Sequence, residues 1–168
     1  MHARDGRDEA GFTLVELLVV VAVIGILATI AVTSLLGAQG KANRKAAASN
    51  LRVALVSAKT LHTEEETYLV TDAATTITRL GRQEPGLTWQ AAPATASEQI
   101  SVASDPDTAA LATKAGDGHC YYVVDDVSSA ASGTMFGRSA ATAADCPAVT
   151  DTTAAGITWA TSPKLAGW

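Results

Sequence analysis

The sequence has few of the residues from which catalytic and metal sites are built. It contains two cysteines and three histidines, His2, His62 and His119, which lie far apart in the chain. The motifs H-E-x-x-H, C-x-x-C, G-x-S-x-G and the P-loop are all missing. A Gly-Asp-Gly segment at 116–118 is better explained by a hairpin turn than by a phosphate loop, because no G-x-G-x-x-G continues it. We therefore expect a protein that is not an enzyme and that needs no cofactor.

Aspartates are the one group from which a metal site could be built. Asp105, Asp107, Asp117, Asp125 and Asp126 could in principle hold calcium. They lack the D-x-D-x-D-G spacing of a calcium loop, so surface carboxylates are the favoured interpretation. No metal site is predicted.

Aromatic residues and basic stripes are also scarce. Aromatics make up 5% of the 168 residues, although hydrophobic residues make up 48%. Alanine and valine supply much of that fraction, which predicts a thin core. The net charge is −5, and the cations outside residues 41–52 are scattered, so nucleic-acid binding is the less favoured alternative. The length suits one domain plus a membrane segment.

One long apolar run, GFTLVELLVVVAVIGILATIAVTSLL, contains a single ionisable residue, Glu16. As a helix, residues 12–36 would span roughly 37 Å, which is enough to cross a bilayer. A carboxylate inside such a run is unfavourable and needs a partner or a route to water. Glu16 could reach up to the interface. Alternatively, cleavage between Gly11 and Phe12 would create an α-amino group one turn away that could pair with it.

These residues resemble the N-terminal segment of type IV pilins and of the type II secretion pseudopilins. The matching features are Gly11 before the scissile bond, Phe12 as the new N-terminus, Glu16 four residues later and Gly25 within the helix. The resemblance implies that a prepilin peptidase cleaves after Gly11 and methylates Phe12. It also implies that Glu16 directs the addition of subunits to a filament, and that residues 1–11 are a cytoplasmic leader. Relatives often carry proline where this chain has Thr33, so melting of the helix stays open.

Residues 37–62 keep a helical pattern while their apolarity falls. Apolar side chains recur at spacings of three and four, which predicts an amphipathic continuation of the same helix. The stripe comprises Leu51, Ala54, Leu55, Ala58, Leu61 and His62. We expect strands further along the chain to cover this stripe, and we expect His62 to be packed rather than to bind a metal.

Residues 63–168 are predicted to form a globular β-sheet domain with variable loops. Strand patterns occupy 87–90, 99–104, 109–115, 120–125 and a short stretch near 134–136. Asp72 is predicted to cap a short helix over 73–80 that Gly81 closes. We expect Trp159 and Trp168 to cover core. The fold class is therefore α+β, with a long N-terminal helix packed on a small antiparallel sheet, and the resemblance implies the same pilin-like shape.

Cys120 and Cys146 are the only cysteines, and both fall beyond the apolar run. One disulfide is the simplest account in an oxidising compartment, and two unpaired buried thiols are the alternative. By resemblance to many pilins, the segment 121–145 would be a loop exposed on the filament.

Together these observations predict a structural subunit of a type IV pilus-like filament. The expected partners are other pilin subunits, the prepilin peptidase, the inner-membrane assembly machinery and membrane lipid before assembly. The precursor would span the cytoplasmic membrane once, and the mature protein would lie in an extracellular filament. A pseudopilin or minor initiating pilin is the first alternative, and a single-pass membrane-anchored binding protein or enzyme is the second.

Overall fold

The computed structural model describes residues 11–128 and 132–163, apart from the side chains of residues 33–37. Residues 1–10 of the expected leader and Trp168 lie outside this part, as does the side chain of Thr33. Two compact units are present, divided after Gln39, and the long helix α1, Leu14–Glu65, contributes to both.

The first unit contains the apolar part of α1. One stretch, Leu14–Val32, is long and apolar enough to cross a membrane, and none of its 19 residues is buried. Such a stretch extends for roughly 28 Å as a helix, close to the thickness of a bilayer's hydrocarbon core. The backbone of α1 stays helical through Thr33.

The second unit contains the remainder of α1, a short helix and one six-stranded sheet. The elements are α2 (Ala73–Gln83), β1 (Thr88–Gln90), β2 (Gln99–Ser104), β3 (Thr108–Lys114), β4 (Cys120–Asp126), β5 (Gly133–Ser139) and β6 (Ile157–Ala160). The strands lie side by side in chain order. Strands β2 to β6 pair antiparallel, whereas β1 pairs with β2 in parallel. The α+β prediction is confirmed.

The apolar stripe of α1 packs on one face of this sheet. The principal core contains Leu51, Ala54, Ala58 and Leu61 from the helix together with Ile100, Val102, Leu111, Tyr121 and Val123 from three strands. Side chains two residues apart along a strand point to the same face, so alternate residues of β2, β3 and β4 meet the helix. The sheet that was expected to cover the stripe does cover it, and Leu55 is partly buried at its edge.

A second, smaller core lies on the opposite face. It contains Ala112, Cys120 and Tyr122 from the strands, and Ala94 and Cys146 from flanking segments. Trp159 packs against it, with its ring centroid 5.9 Å from that of Tyr122. Trp159 therefore covers core as expected, and the sheet is buried on both faces.

Turns and caps follow the local chemistry of the sequence. The hairpin between β3 and β4 turns at Gly118, whose φ of 84° lies in the region that favours glycine. Asp72 caps α2 by accepting a hydrogen bond of 2.7 Å from the backbone N–H of Thr75. The prediction that Gly81 ends α2 is wrong, because the helix continues to Gln83. Gly81 there lies against the ring of Trp89, and tertiary packing overrides its weak helix propensity.

Candidate assembly site on the N-terminal helix

The segment before α1 is exposed and lies outside regular secondary structure. Gly11, Phe12 and Thr13 precede the first helical residue, and the Phe12 side chain is 85% exposed. Nothing lies within 4 Å of the position that a Cβ on Gly11 would occupy. The peptide bond between Gly11 and Phe12 is therefore outside the helical hydrogen-bond ladder and open to another protein. Its cleavage stays a prediction.

Thr13 and Glu16 form a capping box at the start of α1. The Glu16 carboxylate accepts hydrogen bonds from the backbone N–H of Thr13 at 3.0 Å and from its hydroxyl at 2.8 Å. The Thr13 hydroxyl oxygen in turn accepts from the backbone N–H of Glu16 at 3.2 Å. This reciprocal pattern satisfies N–H groups that the helix leaves unpaired at its N-terminus. Glu16 is thus held one turn from the predicted scissile bond, in the region where the helix dipole favours a negative charge.

The rest of the first turns presents apolar side chains all round the helix. Side chains exposed by half or more include Leu14, Val15, Leu17, Leu18, Val19, Val20, Val21, Val23, Ile24, Ile26, Leu27, Ile30 and Val32. The Thr29 hydroxyl is paired within the helix, because it donates a hydrogen bond of 2.9 Å to the carbonyl of Gly25. A surface of this size and composition requires lipid or other helices as its surroundings.

Cys120 and Cys146 form the expected disulfide, with their Cα atoms 5.5 Å apart. Cys146 also exchanges two backbone hydrogen bonds with Ala94, of 2.9 and 2.8 Å. The disulfide therefore holds the segment around Cys146 against the face of the sheet that carries the second core. The expectation that 121–145 forms an exposed loop is wrong, since this segment includes most of β4, which is buried, and the whole of β5.

A buried ion pair, which the sequence did not reveal, joins α1 to the sheet. Lys59 Nζ lies 2.9 Å from Asp125 Oδ1, and the Asp125 side chain is only 4% exposed. The hydroxyls of Tyr68 and Thr134 also donate to this carboxylate. Burial raises the pKa of Asp125, but the three donors and the charge of Lys59 outweigh burial and hold the pKa below its usual value. Burial and the adjacent carboxylate raise the pKa of Tyr68.

Two of the aspartates that could in principle hold calcium are paired with cations instead. Asp125 is buried and paired with a cation, and Asp117 lies 3.4 Å from Arg44. Among the residues that the structure describes, no three His, Cys, Asp or Glu side chains meet in a group that could hold a metal. His62 packs against Tyr68, with ring centroids 4.5 Å apart.

Comparisons with known proteins address the N-terminal segment. Residues 6–32 match the family described as the prokaryotic N-terminal methylation motif. The type IV major pilin protein PilA of Myxococcus xanthus (strain DK1622) is 40% identical over 58 residues, which are 34% of this chain and 26% of that protein. The chain therefore carries a prokaryotic N-terminal methylation motif, and its N-terminal third is similar to that of a type IV pilin.

A pseudopilin relative matches equally well. Type II secretion system core protein G of Pectobacterium carotovorum subsp. carotovorum is 40% identical over 57 residues, covering 34% of this chain and 36% of that protein. The match thus spans about a third or less of either relative. No solved structure matches the chain.

Proposed function

We propose that this protein is the structural subunit of a type IV pilus-like surface filament. The observation that carries the proposal is the helix stretch Leu14–Val32, which is apolar and buries none of its residues, and in which Glu16 is the one ionisable residue. A soluble domain would bury such a surface, and a permanent anchor would have no need of a carboxylate there. A helix that exchanges lipid for neighbouring helices during assembly accounts for both features.

Processing creates the partner that Glu16 lacks in the precursor. A prepilin peptidase cleaves between Gly11 and Phe12 and methylates the new amine. The resulting ammonium lies one helical turn from Glu16, about 6 Å along the axis. In an apolar setting, the two charges stabilise each other, either within one chain or between neighbours. The exposed position of Gly11 and Phe12, outside the helix, suits recognition by a peptidase.

N-terminal mass spectrometry of the native protein tests the processing step. We expect a mature chain that begins with a methylated Phe12. A native chain that retains Met1 would contradict the proposal and would favour the alternative of a membrane-anchored binding protein or enzyme.

Substitution of Glu16 tests the assembly step. Glu16→Ala is expected to leave cleavage intact and to abolish most filament yield, because the ammonium then enters the filament core without a countercharge. Glu16→Gln removes the charge but keeps an acceptor for Thr13, and Thr13→Val removes the cap but keeps the charge. If charge is the cause, Glu16→Gln fails like Glu16→Ala, while Thr13→Val assembles. Normal filament yield from both Glu16 variants, measured by shearing and blotting, would refute the assigned role.

A pseudopilin or minor initiating pilin is the second candidate. The similarity to core protein G, at the same identity as to the pilin, favours it. Both candidates share processing and helix packing, but they differ in stoichiometry. Quantifying this subunit in purified surface filaments separates them: a major pilin dominates the filament mass, whereas a pseudopilin or initiator is a trace component or is missing from it.

A further inference from the structure

The part of α1 in the second unit has an exposed face that the proposed function does not use. Opposite its buried stripe, exposed positions recur at alternating spacings of four and three, namely Ala42, Ala46, Ser49, Val53, Val56 and Thr60. Val56 is 63% exposed and Val53 is 40% exposed. Thr60 donates its hydroxyl to the carbonyl of Val56 at 3.0 Å, which leaves its methyl group outward. We call this face the α1 seam.

The α1 seam lies in a strongly basic stretch of the chain. Residues 41–63 carry five Lys or Arg residues and no carboxylate, whereas 13 of the 17 carboxylates in the sequence follow them. Lys41, Lys45 and Arg52 are exposed on the helix. This stretch of helix is therefore basic, whereas the rest of the domain carries more carboxylates than cations.

The acidic side chains gather where α1 ends. Glu66 follows the helix directly, and the turn between β2 and β3 places Asp105 and Asp107 beside it. The backbone ties these segments together, because Tyr68 N–H donates to the Pro106 carbonyl and Val127 N–H to the Asp107 carbonyl, each at 2.9 Å. Glu66, Asp105 and Asp107 are all exposed. With Asp126, they form what we call the acidic end.

Distance prevents the two charged surfaces from neutralising each other within one chain. Lys45 and Glu65 are separated by 20 residues of continuous helix, or about 30 Å. At physiological salt, charges so far apart are screened almost completely. A second copy of this chain offers the opposite charge to both surfaces.

We propose that the basic flank of the α1 seam docks against the acidic end of a second copy of this chain. The inference rests on the proposed function, and it specifies which surfaces of successive subunits meet. The two patches differ, so the contact is head-to-tail, and it builds a filament when the rotation between successive copies does not close a ring. Val53 and Val56 supply apolar contact area, and the charges fix the axial offset and the polarity of addition.

Carbodiimide cross-linking of sheared wild-type filaments, followed by mass spectrometry, tests the contact directly. The reagent joins an amine to a carboxylate only when the two are in contact. We expect links between Lys45 and Asp105, Asp107 or Glu66. Such a link must join two copies, because about 30 Å of helix separates these groups within one chain. Assembled filaments without any of these links would overturn the inference.

A charge-exchange series provides the second test. Lys45→Glu is expected to lower filament yield roughly tenfold, since attraction becomes repulsion across each contact. Asp107→Lys in the same chain should restore the yield. Glu98→Lys is the matched control, because it makes the same charge change at an exposed site near the start of β2. Equal rescue by Glu98→Lys would overturn the inference, and so would failure of Asp107→Lys to rescue. Unchanged thermal unfolding of the variants verifies that they fold.

Three further outcomes are distinguishable. If Lys45→Glu releases the precursor from vesicles with anionic lipid and Asp107→Lys does not rescue assembly, the basic residues face lipid and the proposed contact is wrong. If wild-type chains are cleaved at Phe12 and form filaments without the cross-links, only this inference fails. If Phe12 never becomes the N-terminus, the proposed function itself fails.

Discussion

The two parts of α1 differ in what surrounds them. Leu18, in the apolar stretch, is 62% exposed, whereas Leu51, in the second unit, is fully buried against the sheet. The apolar stretch has hydrophobic side chains on every face, but the later part confines them to a stripe and to the α1 seam. One helix therefore carries two kinds of hydrophobic surface. Only the stripe is covered by other residues of the same chain.

The stripe of α1 contributes to folding of the second unit, whereas the apolar stretch is left for contacts outside the monomer. Side chains of the stripe contribute to the stability of the second unit, because folding removes them from water. Side chains of the apolar stretch are exposed before and after that unit folds. They gain their apolar surroundings only from lipid or from neighbouring helices. Identical substitutions in the two parts should thus affect different measurements.

A pair of leucine substitutions would test this separation most strongly. Leu51→Ala is expected to destabilise the second unit by about 4 kcal/mol, since it leaves a cavity in a thin core. Leu18→Ala should leave the free energy of unfolding of that unit unchanged. Urea titration of both full-length variants in one detergent buffer makes the comparison. Equal destabilisation by the two variants would show that the parts of α1 are not independent in folding.

The disulfide should contribute almost as much, and only to the second unit. Replacing both cysteines by serine, Cys120→Ser with Cys146→Ser, is expected to cost about 3.5 kcal/mol, from the chain entropy that a closed loop of 26 residues removes from the unfolded state. Thermal unfolding of the variant measures this cost, and reduced wild-type protein provides the matched control. Cleavage at Phe12 should be unaffected. An unchanged unfolding midpoint would contradict the stabilising role.

Much of this organisation follows from local patterns in the sequence. The bounds predicted for β2 match the structure, because Ile100 and Val102 alternate with smaller residues and belong to the principal core. The β3–β4 hairpin follows from the glycines at its turn. The Thr13–Glu16 capping box could also have been found, since T-x-x-E before an apolar run is its known signature.

Other features depend on contacts between distant residues and leave no local signal. β6 lies in a tail rich in alanine and threonine, and β5 alone holds it in the sheet. β1 pairs in parallel with β2, which no alternation of residues indicates. Asp125 lies in a strand with buried neighbours, but its cation comes from α1 and one of its hydroxyl donors, Tyr68, is 57 residues away in sequence. Such a network becomes visible only when the fold brings its members together.

Substitution of Asp125 tests how the stability of the second unit depends on pH. The expected loss of stability is smaller than for the leucine and cysteine substitutions. Asp125→Asn is expected to cost about 2 kcal/mol at neutral pH, because an amide oxygen cannot replace a carboxylate that accepts from Lys59, Tyr68 and Thr134. The pKa of Asp125 is lower in the folded protein than in the unfolded chain, where it is near 3.8. The stabilisation is therefore complete above that unfolded value, and it is lost as the pH falls through the folded value.

Urea midpoints measured from pH 7 down to pH 2 would follow this loss. Wild-type protein should lose stability relative to Asp125→Asn as the carboxylate gains its proton, and the two curves should converge. Lys59→Met is the matched control, since it keeps the carboxylate and its hydroxyl donors while removing the cation. Part of the pH dependence of the urea midpoint should then remain, because the hydroxyl donors still favour the charged carboxylate. A constant difference between wild type and Asp125→Asn across the whole range would show that the charge of Asp125 does not stabilise the junction between α1 and the sheet.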